Sequence, residues 1–281
     1  MSEKIVVGVT EASSSRRAVE WAVSRATAHR QSIELLSVVG GAVGTIGEGA
    51  VLQAAVEATQ QHLDGEAERI RRDGLTVTTR VEAGDPVTVL STASEGAALL
   101  VIGSDYRGPG EGPARGSHGI RIVAGAHSPV VVVPDFEIDG ERSGVVVGVD
   151  GSPVSEAAIA FAAAEADRLG EPLTAVIVWT PIAAPRNSLM VSPQAYRDGM
   201  EQNAREALAI SLAGLRSRYP GLEIEEAVAE GFPSVIINDL AESARLTVVG
   251  SRGHGAVRRF LLGSISHEVL QRLATVTAVV R

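Results

Sequence analysis

The strongest constraint on the fold is that the chain is written twice. Lys4-Ile5-Val6-Val7-Gly8-Val9 returns as Gly144-Val145-Val146-Val147-Gly148-Val149, 140 residues later. The apolar runs Ile33 to Val39 and Leu173 to Trp179 keep that spacing. Gly84-Asp85-Pro86 and Gly231-Phe232-Pro233 stand 147 residues apart, as do Gly103-Ser104 and Gly250-Ser251, and Gly116-Ser117 and Gly263-Ser264. The second half has therefore gained seven residues between its second and third strands, and the Pro-containing stretch Thr180 to Pro193 is the expected place. A self-similar chain of 281 residues reads as two related domains. Their expected limits are 1–138 and 144–281, with the charged stretch Asp135 to Ser143 as linker.

Within each half, short apolar runs alternate with helical patterns. In the second half the strands are expected at 144–150, 173–179, 223–229, 245–250 and 277–280. Tyr196 to Arg218 reads as one long helix closed by Pro220-Gly221, and Pro233 opens the third helix, where a missing N–H does no harm. Alternating strands and helices predict an α/β fold: a five-stranded parallel sheet in each half with helices on both faces. Right-handed crossovers then favour a doubly wound, flavodoxin-like or Rossmann-like sheet with a short final strand. Hydrophobic residues are 45% of the chain but aromatics only 3%. The core is thus built from Ala, Val, Leu and Ile, which suits strands buried on both faces.

The net charge of −9 argues against general attraction to nucleic acid or to an anionic membrane. No cysteine is present, so disulfide and thiolate chemistry are excluded. No apolar run approaches the ~20 residues of a membrane span. Met1 to Val9 lacks a basic leader and reads as a first strand, so a soluble cytoplasmic protein is expected.

In a doubly wound sheet, ligands bind at the carboxyl ends of the strands where the strand order switches. After the fourth strand of the second half comes Gly250-Ser251-Arg252-Gly253; nine residues later Gly263-Ser264-Ile265-Ser266 opens a helix. Bare glycines let the backbone approach a ligand closely. Successive N–H groups in such a turn make an anion-binding concavity. Gly263 and Ser264 place free donors at a helix N-terminus, where a phosphate is stabilised. Ser266 adds a hydroxyl, and Arg252 and His254 are candidate cations. Asp150 ends the first strand on the same edge, where a carboxylate can meet ribose hydroxyls or a Mg2+ that accompanies phosphates.

Gly250-x2-Gly253-x9-Gly263-Ser264, with Gly148-Val149-Asp150-Gly151-Ser152 upstream, resembles the ATP-binding pattern of the universal stress protein family. The run Leu261 to Ser266 is also similar to that family, and the resemblance covers nearly the whole chain as two tandem domains. It implies ATP and Mg2+ as ligands of the second domain. Asp150 would contact ribose or the metal, and Val178 would meet adenine through its backbone. Gly148, Gly250, Arg252, Gly253, Gly263, Ser264, Ile265 and Ser266 complete the implied site. The family's usual proline before the last strand is replaced by Val276. The resemblance further implies an internal pseudo-dimer and a homodimer of tandem chains. The apolar stretches 130–133 and 277–280 are edge strands suited to pairing.

The first half departs from this chemistry. Thr10 stands in place of the aspartate, Asp105 in place of Arg252, Tyr106 in place of the second glycine and Gly119 in place of Ser266. The expected first domain therefore binds ATP weakly or not at all. A stress-response regulator modulated by nucleotide is the leading reading. A slow ATPase, with Glu156 or His254 as base, and an interaction module with a vestigial site are the alternatives. No Gly-x4-Gly-Lys-Ser/Thr segment, no Gly-x-Gly-x2-Gly after either first strand and no Gly-x-Ser-x-Gly elbow is present.

Overall fold

The computed structural model describes residues 4–40, 48–104, 117–136, 142–181, 193–253 and 262–281. The chain divides into two compact units, Met1–Phe136 and Glu137–Arg281. Unit 1 runs β1 (Lys4–Gly8), α1 (Ser13–His29), β2 (Ser32–Val39), α2 (Glu48–Arg71), β3 (Val77–Ala83), α3 (Pro86–Ala93), β4 (Leu99–Gly103), α4 (Ser117–Gly125) and β5 (Val130–Val133). Unit 2 runs β6 (Val145–Val149), α5 (Pro153–Leu169), β7 (Leu173–Trp179), α6 (Pro193–Ser211), α7 (Leu215–Arg218), β8 (Ile224–Glu230), α8 (Pro233–Ala241), β9 (Leu246–Gly250), α9 (Ser264–Arg272) and β10 (Val276–Val280).

Each unit holds a parallel five-stranded sheet. The order is β3-β2-β1-β4-β5 in unit 1 and β8-β7-β6-β9-β10 in unit 2. The first strand of each unit lies between the second and the fourth, so the chain winds to one side and then the other. In unit 2 the switch falls between β6 and β9, which pair from Val145↔Leu246 to Val147↔Val248. The α/β, doubly wound expectation agrees with this architecture. Val145, Val147, Leu173, Ala175, Leu246 and Val248 form the sheet's buried layer in unit 2. Helix α5 meets it through Ala158, Ala162, Ala163 and Ala166, small residues that allow a close approach. Among the described residues, no helix is long and apolar enough to cross a membrane.

Two details differ from the expectation. The helix expected over 196–218 is two helices, α6 and α7. Gly214 takes a left-handed conformation (φ 81°) and caps α7, and this break lets both Leu212 and Leu215 be buried. The last strand begins at Val276, one residue earlier than expected, and pairs from Val276↔Leu246. The matching position of unit 1 is Pro129, which has no N–H to give the ladder, and there pairing starts at Leu100↔Val130. The lengthening of the second half does fall between β7 and β8, but residues 182–192 of the expected insertion lie outside the described residues.

The repeat also exposes a local strain. Helix α5 ends on Gly170 in the left-handed region (φ 66°, ψ 31°), and α1 ends on its counterpart Arg30 in the same region (φ 54°, ψ 42°). A side chain is disfavoured there and glycine is not. Arg30→Gly is predicted to stabilise unit 1 by about 0.5–1 kcal/mol. The check is a higher urea midpoint with an unchanged m-value.

Candidate functional site

The site of unit 2 grows from the end of β6. Asp150 follows the strand, and its backbone N–H donates to Ser155 Oγ at 3.2 Å. Asp150 Oδ1 accepts from Ser152 N at 2.9 Å, a local turn that aspartate makes readily. Ser152 is the N-cap of α5, its Oγ accepting from Ser155 N at 3.2 Å, with Pro153 in the first turn. One carboxylate oxygen is thereby held by the chain, and the other, Oδ2, faces the loop after β9.

That loop is packed onto Asp150. A Cβ placed on Gly253 would overlap Asp150 Oδ2 far inside van der Waals contact. At Gly250 a Cβ would lie 3.0 Å from Val154 Cγ1 and 3.1 Å from the Arg252 carbonyl oxygen. Ser251 ties three elements together: its N–H donates to Val280 O at 2.6 Å and its carbonyl accepts from Gly263 N at 2.8 Å. Ser266 Oγ donates to Gly250 O at 2.5 Å, so the start of α9 is latched to the end of β9. Gly263 fits against this join, where a Cβ would lie 3.3 Å from Arg252 Cα.

The electrostatics follow from the backbone. Gly263 is the N-cap of α9 and provides no side-chain cap. The first-turn amides of Ser264, Ile265 and Ser266 thus face outward at the positive end of the helix dipole. Arg252 is half-buried beside them. Arg281 follows β10 at the same edge, and its pKa is pushed down by burial and then by the charge of Arg252. The Ser251 hydroxyl is buried without a hydrogen-bond partner among the described residues. Such a group is costly unless something meets it.

Of the residues expected in the site, the structure brings Asp150, Gly250, Arg252, Gly253, Gly263, Ser264 and Ser266 together. Ser266 spends its proton on the Gly250 carbonyl, which makes it a latch with lone pairs to spare. Ile265 projects to solvent, 39% exposed. Val178 lies one residue before the end of β7, paired with Ala229 of β8. Gly148 is occupied differently: a Cβ there would lie 2.9 Å from Ile237 Cδ1, so its bareness serves the packing of α8 on β6. His254 lies outside the described residues, as do Asp105 and Tyr106 of unit 1. Sequence reasoning passes over Ser155 and Ser251. Their signal was in the repeat, since Ser15 and Ser104 occupy the same places in the first half.

Unit 1 shows the same scaffold with altered groups. Thr10 N donates to Ser15 Oγ at 2.9 Å and Thr10 Oγ1 accepts from Ala12 N at 3.3 Å, repeating the Asp150 turn with a hydroxyl. Gly119 has no hydroxyl to repeat the Ser266 latch.

Fold and site together define a tandem pair of doubly wound α/β units, with glycines of the second packed against Asp150 at its switch point. The sequence model of the Universal stress protein family matches residues 1–134 and again residues 142–281. The chain belongs to the universal stress protein family. A universal stress protein of Mycolicibacterium smegmatis is 32% identical over 288 residues, spanning 99% of this chain and 96% of that one. Universal stress protein Rv1996 of Mycobacterium tuberculosis is 31% identical, spanning 95% of this chain and 91% of that one. The crystal structure of a universal stress protein from Archaeoglobus fulgidus has the same fold, with a TM-score of 0.71 at 20% identity over 100% of this chain and 97% of that one.

The contact between Gly253 and Asp150 is testable without any ligand. Gly253→Ala is predicted to destabilise unit 2 by about 1–2 kcal/mol, and Asp150→Gly to remove most of that loss. A double-mutant cycle by denaturant unfolding checks it. Purely additive losses would contradict the contact.

Proposed function

We propose that unit 2 binds ATP, accompanied by Mg2+, and that occupancy biases the conformation or assembly of the chain as a regulatory stress-response protein. One observation carries the reading: the loop after β9 closes onto Asp150 so closely that a side chain at 253 would displace the carboxylate. A cradle lined by glycine and open amides at α9 suit a polyanion bound through backbone groups. Asp150 is the acidic group that would hold ribose hydroxyls or the cation. Among the described residues, no cluster of His, Cys, Asp or Glu could cage a metal by itself. Mg2+ would therefore be shared with the phosphates, as it usually is. The Arg252 guanidinium would offset phosphate charge, and the backbone near Val178 would meet the base. Unit 1, with Thr10 in place of the carboxylate, is assigned weak or no nucleotide binding. We further assign the working state to a dimer of tandem chains in the cytoplasm.

The test is mass spectrometry of small molecules released from the denatured, purified chain, followed by calorimetric titration with MgATP. About one nucleotide per chain is expected. Asp150→Ala should weaken binding at least about tenfold, roughly 1.4 kcal/mol, whereas Thr10→Ala should leave it unchanged. At ATP concentrations near 100 times Kd, the native chain should gain about 2.7 kcal/mol of stability. Absence of any nucleotide effect on binding or stability would sink the proposal, and rapid ADP release would replace a regulator with an enzyme.

A further inference from the structure

The two units differ at the residue that opens their third helix. In unit 1, Asp85 caps α3. Its Oδ2 accepts from Thr88 N at 2.9 Å and from Thr88 Oγ1 at 2.8 Å. In unit 2 the same position is Phe232, which makes no side-chain cap. Its ring is 71% exposed. Both choices are locally unfavourable: a helix cap is given up, and a large apolar side chain is left in water.

Its place at the opening of α8 puts Phe232 at the carboxyl edge of the sheet. Gly231 N donates to Trp179 O at 2.9 Å, and Gly231 O accepts from Thr180 Oγ1 at 2.7 Å. Phe232 is therefore pinned beside the end of β7, where the Val178 backbone lies. Among the described residues, the exposed large apolar side chains are Val51, Ile210, Phe232, Val235 and Ile265. Three of the five sit at the openings of α8 and α9, helices that both start from the carboxyl edge of the sheet. Asp150 follows β6 and Phe232 follows β8, two strand spacings away, about 10 Å. That is the span of a nucleoside from a ribose hydroxyl to the far side of its purine.

We infer that Phe232 is the specificity-determining contact for the base, its ring stacking on a purine whose ribose meets Asp150 and whose phosphates lie at α9. This rests on the nucleotide reading above and adds what selects the base. A base stacked on an aromatic ring gains about tenfold or more in affinity, independently of the phosphates.

The experiment compares the full-length native chain with Phe232→Asn and Phe232→Trp. ATP and inorganic tripolyphosphate are titrated separately in the presence of Mg2+, and thermal midpoints are recorded. Asparagine restores a neutral cap. Phe232→Asn is expected to weaken ATP about tenfold and to leave tripolyphosphate within about twofold, with a thermal midpoint equal to or above that of the native chain. Phe232→Trp is expected to retain ATP. The inference is overturned if Phe232→Asn binds ATP as the native chain does, or if it loses ATP and tripolyphosphate in equal proportion. A native chain that binds tripolyphosphate as tightly as ATP would overturn the base contact and leave the polyanion cradle standing. A native chain that binds neither would overturn the cradle itself.

Discussion

The architecture of the site depends on a backbone segment lying directly against a carboxylate. Gly253 sits where a side chain would occupy the same space as Asp150 Oδ2. That closeness joins two distant parts of the sequence into one surface. Everything else in the site supports the approach. The Ser152 amide holds Asp150 from behind, the Ser266 hydroxyl ties α9 to the Gly250 carbonyl, and the Gly263 amide ties it to the Ser251 carbonyl. The latches are short and mostly backbone, so they fix the helix opening without placing side chains over it. The result is a helix opening held against the end of β9 with its first-turn amides uncovered by a capping side chain.

Unit 1 works as an internal comparison. It keeps the sheet order, the first-strand turn and the buried valines, so the fold does not need Asp150 or the Ser266 hydroxyl. Thr10 reproduces the turn because a hydroxyl oxygen can accept the same backbone N–H. It cannot reproduce the charge. What the two units share is therefore attributable to folding, and what unit 2 adds is not required for it. The single proline at 129 makes the same point on the structural side: it shortens the ladder of β5 relative to β10 and changes nothing else in the strand order.

Much of this was legible in the sequence because it is written in residue types with few alternative uses. Runs of valine after a repeat spacing of 140 residues mark strands, and Gly-Ser marks a helix opening, before α5 and at α9 alike. The illegible parts involve residues whose role depends on a neighbour. Gly148 looks like Gly250 in a motif, yet it answers to Ile237 on α8. The break at Gly214 was hidden because one glycine inside a helical pattern is usually tolerated, and only the burial of Leu215 shows why the chain turns there. The roles of Ser155 and Ser251 required knowing which atoms the turns bring together.

The repeat also indicates where local stability was given up. At the amino edge of the sheets both units carry a disfavoured residue: Arg30 adopts a left-handed conformation that its counterpart Gly170 adopts freely, and Leu273 adopts one at the end of α9. At the carboxyl edge the units differ helix by helix: α1 opens on Ala12 without a side-chain cap, and its counterpart α5 is capped by Ser152. Unit 1 has the well-capped helix at Asp85, and unit 2 has the uncapped Phe232. The first-turn amides of α9 stand at that edge too. Groups satisfied within the protein have nothing left to offer a ligand, and at the carboxyl edge of unit 2 the openings of α8 and α9, neither with a side-chain cap, leave first-turn backbone amides unspent.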